Sequence, residues 1–443
     1  MTYRDTLAYL YSYTNYERKG LPKYTMAHYD LNRIRSLLDR MGNPHHAFES
    51  LLIAGTKGKG STAAFSESMI RAAGYKTGLY ISPHLHTFRE RIQIGGEMLS
   101  ESDVVRLTEC LKPHLESIEG LTAFEVITAM AFHVFAETNI EVAVLEVGLG
   151  GRLDATNVSR PAVAVITSIS YDHTQLLGET LSLIAREKAG IIRPGSLVIS
   201  APQVPEAMTM IEEVCRGHHA QLVVAGEDEY RWFQGRATLS GQSFELHGER
   251  YWIPLLGRHQ LANAVTAWAA VDGMEERVGL SVPLSARREG LRSTRWPGRL
   301  EILGRNPFVI VDSAHNGDSA NKLQTALRDF FPGRRVTLVF GASNDHPFDD
   351  SLAELLPISC KVIVTRSRHP RAAAPEILAR TVSELGYTAS STDNVPEAIK
   401  AALEHAHPKD LICISGSIFT VADAREYWFS HNQLPLPQID PDI

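Results

Sequence analysis

The apolar run Leu51-Leu52-Ile53 passes without a spacer into AGTKGKGSTAAF (residues 54–65), where three glycines, two lysines and a Ser-Thr pair fall within twelve positions. A short apolar strand, a glycine-rich cationic turn and an amphipathic continuation (AAFSESMIRAAG) fit a strand–turn–helix unit at the carboxyl edge of a sheet. Gly55, Gly58 and Gly60 let backbone N–H groups around Thr56 converge on an anion without Cβ clashes, and the following helix aims its positive end at the same place. Lys59 adds a point charge for phosphate, and Ser61 or Thr62 a hydroxyl for the Mg²⁺ that travels with a nucleotide. The competing reading is a βα turn with incidental glycines; the strand before, the helix after and the lysine count against it.

The same alternation recurs along the chain. LLIAG, YKTGLYIS, VAVLEVG, AVAVITSI and SLVIS are short apolar runs separated by amphipathic segments, the pattern of a doubly wound parallel sheet with both faces covered. Residues 228–256 instead alternate polar and apolar around glycines, as a small antiparallel ribbon does. Beyond Trp296-Pro297-Gly298 the α/β alternation restarts with FVIVDSAHN, a helix over about 318–330, RRVTLVFGAS, KVIVTRS and LICISGS. The expected fold is therefore α/β. A P-loop-containing doubly wound domain with a small antiparallel sheet occupies residues 1–295, and a smaller Rossmann-like α/β domain occupies 296–443. At 443 residues the chain is too long for one typical core.

A formal net charge of −7 without any Lys/Arg-rich block argues for a focused phosphate site and against a nucleic-acid surface. The N-terminal MTYRDTLAYLYSY lacks an apolar signal region, and no stretch approaches the roughly 18–20 apolar residues of a membrane span, so a cytoplasmic protein is expected. Cys110, Cys215, Cys360 and Cys413 are scattered and read as reduced core thiols, without a disulfide framework or zinc pair.

Glu146 closes the run VAVLE and is expected at a strand's carboxyl edge beside the phosphate turn, suited to Mg²⁺, with a surface acid as the alternative. His173, in SYDHTQ after AVAVITSI, is expected at a similar strand end, as a ligand or as a structural histidine, with Asp172 supporting its ring. Lys188 in AREKAGI lies on an amphipathic stretch where lysine is ordinarily solvated. Asn263 in GRHQLANA competes with a helix cap. Arg299 in PGRLEI could grip phosphate across the linker or stay in solvent. Asp312 and His315, in VDSAHN, follow an apolar strand of the second domain.

Taken in order, GTKGKGST, YISPHLHTFRERIQIGGEMLS, LEVGLGGRLDATNV, SISYDHTQLLGETLSLIAREKAGIIRPG, GRHQLANA, PGRLEIL, VDSAHN and the terminal ISGSIFTVADAR resemble the folylpolyglutamate synthase/dihydrofolate synthase family of the Mur ligase superfamily, from about residue 25 to the end. The resemblance implies an ATP-dependent ligase that phosphorylates a carboxylate and couples it to L-glutamate, with two Mg²⁺ ions and a K⁺ ion as cofactors, working as a monomer. It implies Ser61 and Glu146 as ligands of one Mg²⁺, and His173 with a carbamylated Lys188 at the second. Carbamylation needs a neutral amine, hence a buried Lys188 with a lowered pKa. Asn263 is then placed at the nucleotide edge, Asp312 and His315 at ATP or glutamate, and Ser415 and Ser417 at the incoming amino acid.

For the pterin substrate the family candidates are Ser82, Pro83, His84 and Arg89 in SPHLHTFRERI, with Arg91, a stacking Phe88 and Asp154 of GGRLDATN; a solvated mobile loop is an equal reading of the first stretch. Ser313 and Gly317 depart from the family's D-G-A-H-N-P, and His346 stands where many relatives show lysine, with no role assigned to it. The expected reaction is addition of glutamate to tetrahydrofolate, or also to dihydropteroate. Alternatives are a Mur-type ligase for a non-folate acid, disfavoured by a phosphate turn that begins by residue 55, and a P-loop binding protein regulated by nucleotide. Closure about Trp296-Pro297-Gly298 is expected, to keep water from the activated acid.

Overall fold

The computed structural model describes residues 1–15, 29–344 and 347–441; the start of the family landmarks near residue 25 and His346 lie outside the described residues. The first apolar runs form β1 (Glu49–Ala54), β2 (Thr77–Tyr80), the short β3 (Ile92–Ile94) and β4 (Glu97–Met98), β5 (Val142–Glu146), β6 (Val163–Ile166), β7 (Leu197–Ser200) and β8 (Gln221–Val224). They make an eight-stranded sheet in the order β4-β3-β2-β5-β1-β6-β7-β8. The six strands from β2 to β8 in that order are parallel, and β3 and β4 add an antiparallel edge.

Successive residues of β1 point into opposite cores, which is why the run is apolar throughout and not alternating. Leu52 and Ala54 join the cluster under the helix Ala123–Glu137, while Leu51 and Ile53 join the one under the helices Lys59–Ala72 and Arg258–Val278. The ribbon expected over 228–256 is β9 (Trp232–Thr238), β10 (Gly241–Leu246) and β11 (Glu249–Ile253), and Phe244, Tyr251 and Ile253 bury it against the second of these cores.

The second sheet contains β12 (Glu301–Arg305), β13 (Phe308–Val311), β14 (Val336–Phe340), β15 (Ser359–Val364), β16 (Ser390–Ser391) and β17 (Leu411–Ser415), ordered β12-β13-β17-β14-β15-β16. Only the β12–β13 pair is antiparallel, and apolar clusters cover both faces.

Three expectations change. Cys215 and Cys413 are buried, but Cys110 and Cys360 are exposed and are not core thiols. Phe88 is fully buried in the first core, because the SPHLHTFRERI stretch folds into a 3-10 turn, Phe88–Arg91, leading into β3; its ring has no open face for a ligand. Trp296 is not a free hinge residue: it packs on the first domain, where a Cβ on Gly60 would come within 2.7 Å of its ring. The turning point is left to Gly298 (φ 76°) and Leu300 (φ 38°). No helix among the described residues is long and apolar enough to cross a membrane.

The tail after the helix Ile418–His431 returns to the first domain, where Asp440 accepts hydrogen bonds from the Tyr3 hydroxyl (2.8 Å) and the Phe88 N–H (2.7 Å). Trp268, buried on the helix Arg258–Val278, sits 4.6 Å from the Tyr251 ring and 4.6 Å below the Arg287 guanidinium, so it joins helix and ribbon. Trp268→Ala is expected to cost about 3–5 kcal/mol, read as a lower melting temperature of the full chain; a change within about 1 kcal/mol would show that the ribbon is held elsewhere.

Candidate active site

Parallel register brings the chemistry together. Ile53 pairs with Glu146, and Ala54 with Ile166, so the glycine turn, the Glu146 carboxylate and the loop after β6 emerge side by side at the carboxyl edge of the sheet. The turn of the second domain that follows β13 faces them, and a cleft of about 420 Å³ lies between the two.

The glycine turn opens directly into the helix Lys59–Ala72, whose N-cap is Gly58 in the left-handed region (φ 92°). A Cβ there would lie 2.3 Å from Asn263 Oδ1, so Gly58 serves both the turn and the close approach of Asn263. Thr56 is tied to the loop after β6, its N–H donating to Ser168 O (2.9 Å) and its hydroxyl to Ser170 O (3.2 Å). Gly55, Thr56, Gly58, Lys59, Gly60 and Ser61 all line the cleft; Thr62 does not, and its hydroxyl is buried beneath the turn without a partner among the described residues.

Glu146 is 6% exposed and accepts the Ser82 N–H at 3.1 Å. Burial pushes its carboxyl above the usual range, against the pull of Lys59, so a cation at this carboxylate would relieve a desolvation penalty. Carboxylate and hydroxyl oxygens from Glu146 and Ser61 suit a hard cation such as Mg²⁺, with phosphate oxygens completing its shell. Among the described residues no cluster of three His, Cys, Asp or Glu side chains could hold a metal unaided.

Lys188, near the end of the helix Leu181–Ala189, is not on a solvated face: it is 4% exposed, and its ammonium donates to Gly55 O at 2.9 Å. Burial, reinforced by Lys59, lowers it to about 7, so roughly half of it is neutral at neutral pH. His173 lines the cleft but is not at a strand end; it stands beyond β6 as the left-handed N-cap (φ 49°) of the short helix Thr174–Leu177. Asp172 accepts the His173 backbone N–H at 3.1 Å and also pairs with Lys57 Nζ at 2.9 Å. Burial alone would raise Asp172; Lys57 and the neighbouring imidazoles outweigh it and hold the carboxyl well below its usual range.

Asn263 lies inside the helix Arg258–Val278 and is no cap; its amide donates to Gln260 at 3.1 Å beside the phosphate turn. Arg299 lines the cleft and is not a solvent arginine. Asp312 is spoken for by backbone: its two oxygens accept Leu300 N–H (2.8 Å) and Ala314 N–H (2.9 Å), stapling the linker to the turn after β13. Ser313, in the position of the family glycine, reinforces this staple through Gly298 O, 3.0 Å from both its N and its Oγ. His315 and Ser417 face the cleft, and Ser417 caps the helix Ile418–His431.

Of the pterin candidates, Ser82, Pro83, Arg91 and Asp154 line the cleft. Asp154 is buried and accepts Leu149 N–H (2.9 Å) and Thr156 N–H (3.0 Å), so it shapes the loop after β5. His84 and Arg89 are not part of the cleft wall. His84 accepts from Arg91 Nε at 2.7 Å, and Arg89 reaches away to Leu99 O and to Gln438 of the tail. Sequence reasoning missed the opposite wall, made by Phe124 and by Glu125 paired with Arg33 at 3.2 Å. The T-x-x-E capping box at Thr122 and Glu125 signalled the helix start that presents them. It also missed Lys57.

A model of the Mur ligase middle domain matches residues 53–271, and one of the Mur ligase glutamate ligase domain matches 298–418. Dihydrofolate synthase/folylpolyglutamate synthase of Bacillus subtilis is 34% identical over 407 residues, covering 89% of this chain and 94% of the relative. The chain belongs to the folylpolyglutamate synthase/dihydrofolate synthase family of Mur ligases.

Mycobacterium tuberculosis folylpolyglutamate synthase, solved with ADP and AMPPCP, superposes with a TM-score of 0.86 at 33% identity, covering 96% of this chain and 98% of that one. A probable bifunctional folylpolyglutamate synthase/dihydropteroate synthase of Halobacterium salinarum is 36% identical over 402 residues; the match takes in 88% of this chain but about half (48%) of that longer relative.

The turn geometry makes a direct test. Gly58→Ala forces a side chain into the left-handed region, at about 1–2 kcal/mol, and into Asn263, so affinity for an Mg²⁺-bound ATP analogue is expected to fall about tenfold or more by titration calorimetry. Unchanged affinity would mean that the turn does not hold the phosphates.

Proposed function

We propose that this chain activates the carboxylate of a reduced folate with ATP and joins it to L-glutamate, with dihydropteroate as a second acceptor. The observation that carries the reading is the single cleft in which the phosphate turn, Glu146 and buried Lys188 of the first domain meet His315 and Ser417 of the second. The corresponding division of the chain is 1–295 and 296–443. Both halves of the cleft come from one chain, which supports action as a monomer, and the four free cysteines suit a cytoplasmic protein.

An acceptor carboxylate is a poor electrophile because oxide is a poor leaving group. Its oxygen attacks the γ-phosphorus of ATP, ADP departs, and the acyl phosphate so formed is attacked at carbon by the glutamate amine; the amine loses a proton, and phosphate leaves with the carboxylate oxygen. Lys59, Arg299 and the N-terminus of the helix Lys59–Ala72 neutralise the charge that develops on the phosphates. Gly58 and Asn263 fix the nucleotide against the turn. Ser417 and the helix it caps receive the amino acid, while Arg91, Phe124 and Asp154 shape the acceptor pocket. Mg²⁺ on Ser61 and Glu146 would supply charge neutralisation, and a second ion would rest on His173 and carbamylated Lys188. Nothing in the donor set among the described residues argues for K⁺.

In the carbamylation step the neutral Lys188 amine attacks CO₂, forms an N–C bond and releases a proton. The side chain has to lose its charge near pH 7 for this, so carbamate occupancy is expected to rise between about pH 6 and pH 8. A carbamate resonance from ¹³C-bicarbonate that grows with pH and disappears in Lys188→Ala checks it; no such resonance would leave Lys188 as an unmodified amine.

The reaction itself is tested by phosphate release with ATP, Mg²⁺ and L-glutamate, using tetrahydrofolate, dihydropteroate or no acceptor. Turnover is expected with either acceptor and about a hundredfold less with Lys59→Ala. Glutamate-dependent turnover with neither acceptor would keep the ligase and reject the folate.

A further inference from the structure

Lys57 has no task in the reaction above, yet its side chain bridges the two domains over the phosphate turn. Its backbone N–H donates to Ser168 O at 3.1 Å, which pins it to the loop after β6. Its ammonium lies 2.9 Å from Asp172 Oδ2, on that loop, and 2.8 Å from Nε2 of His315 on the second domain.

The protonation pattern of this bridge follows from its partners. His315 Nδ1 is 2.9 Å from the Ser313 carbonyl oxygen, which can only accept, so Nδ1 carries the proton and Nε2 is left as an acceptor. Lys57 is the donor to Nε2, with Asp172 as its counterion. A second cross-domain hydrogen bond runs beside it, from the Asn316 amide to Tyr171 O at 3.4 Å. The cationic partner is thus built into the phosphate turn and the acceptor into the VDSAHN turn. Lys59, one helical step on, is the lysine that opens the helix.

We propose that Lys57 is a positioning residue that latches the second domain onto the first. Anchored by Asp172, it holds His315 as the Nδ1–H tautomer with the 312–316 turn over the phosphate turn, and the bridge exists only when the domains are closed. Its effect on turnover rests on the ligase reading; the latch itself does not.

Cys110 in the first domain and Cys360 in the second are exposed, whereas Cys215 and Cys413 are buried, so spin labels on the native thiols report the interdomain distance in the full chain. The measurement is double electron–electron resonance with and without an Mg²⁺-bound non-hydrolysable ATP analogue. The wild type is expected to give one narrow distance with analogue. Lys57→Met and Asp172→Asn should each shift or broaden it toward longer distances, with analogue affinity within about threefold of wild type and kcat down about tenfold or more at little-changed KM for ATP.

Lys57→Arg should recover part of both effects, and an unchanged melting temperature in Asp172→Asn guards against misfolding. A distance distribution in Lys57→Met identical to wild type would overturn the latch. So would a tenfold loss of analogue affinity at unchanged distance, which would make Lys57 a phosphate ligand. If the wild type has no glutamate-dependent turnover, the ligase reading fails while the distances still decide the latch.

Discussion

The hydrogen-bond register of β5, β1 and β6 governs the site. Parallel pairing sets Ile53 against Glu146 and Ala54 against Ile166, so three chain segments leave the sheet at one level. Because every strand here is buried on both faces, a shift of register would turn apolar residues of one core into the other and strand Glu146 away from the glycine turn. The helix Lys59–Ala72 can begin only where β1 stops, which fixes its positive end beside that carboxylate. In the second domain the pairing of Val311 with Ile414 does the same for the turns that carry His315 and Ser417.

The cleft holds its charges at a cost. Glu146, Asp154 and Asp312 are all raised by burial, and Lys188 is lowered to about 7, so each is displaced toward its neutral form. Asp154 and Asp312 recover part of that penalty through backbone N–H donors and act as staples. Glu146 and Lys188 each have one short backbone contact, Ser82 N–H and Gly55 O, and both adjoin the space a polyphosphate and its metal would fill. The strain is concentrated where a ligand's charge can relieve it, the pattern expected where binding energy is used for chemistry.

What was legible in the sequence follows from how local the signal is. The strands, the phosphate turn, the ribbon over 228–256 and the second α/β unit were readable because strand and helix periods are written within a few residues. The motifs around Glu146 and Lys188 singled them out, and both line the cleft. His84 and Arg89 fall outside the cleft wall and Phe88 into the core because the SPHLHTFRERI stretch folds as a 3-10 turn that leads into β3, and nothing local announces an edge strand of three residues; Thr62 is lost for a separate reason, its hydroxyl being buried within the helix Lys59–Ala72. Lys57 was passed over because its partners lie 115 and 258 positions away, a separation at which only the folded chain shows the contact.

The central claim is that a carboxylate is activated by phosphorylation in this cleft. An acceptor folate whose reactive carboxylate carries ¹⁸O tests it most directly, with mass analysis of the phosphate released in the presence of ATP, Mg²⁺ and L-glutamate. The account predicts one ¹⁸O atom in each inorganic phosphate formed along with the new amide. Amide formation with unlabelled phosphate would contradict the acyl-phosphate route.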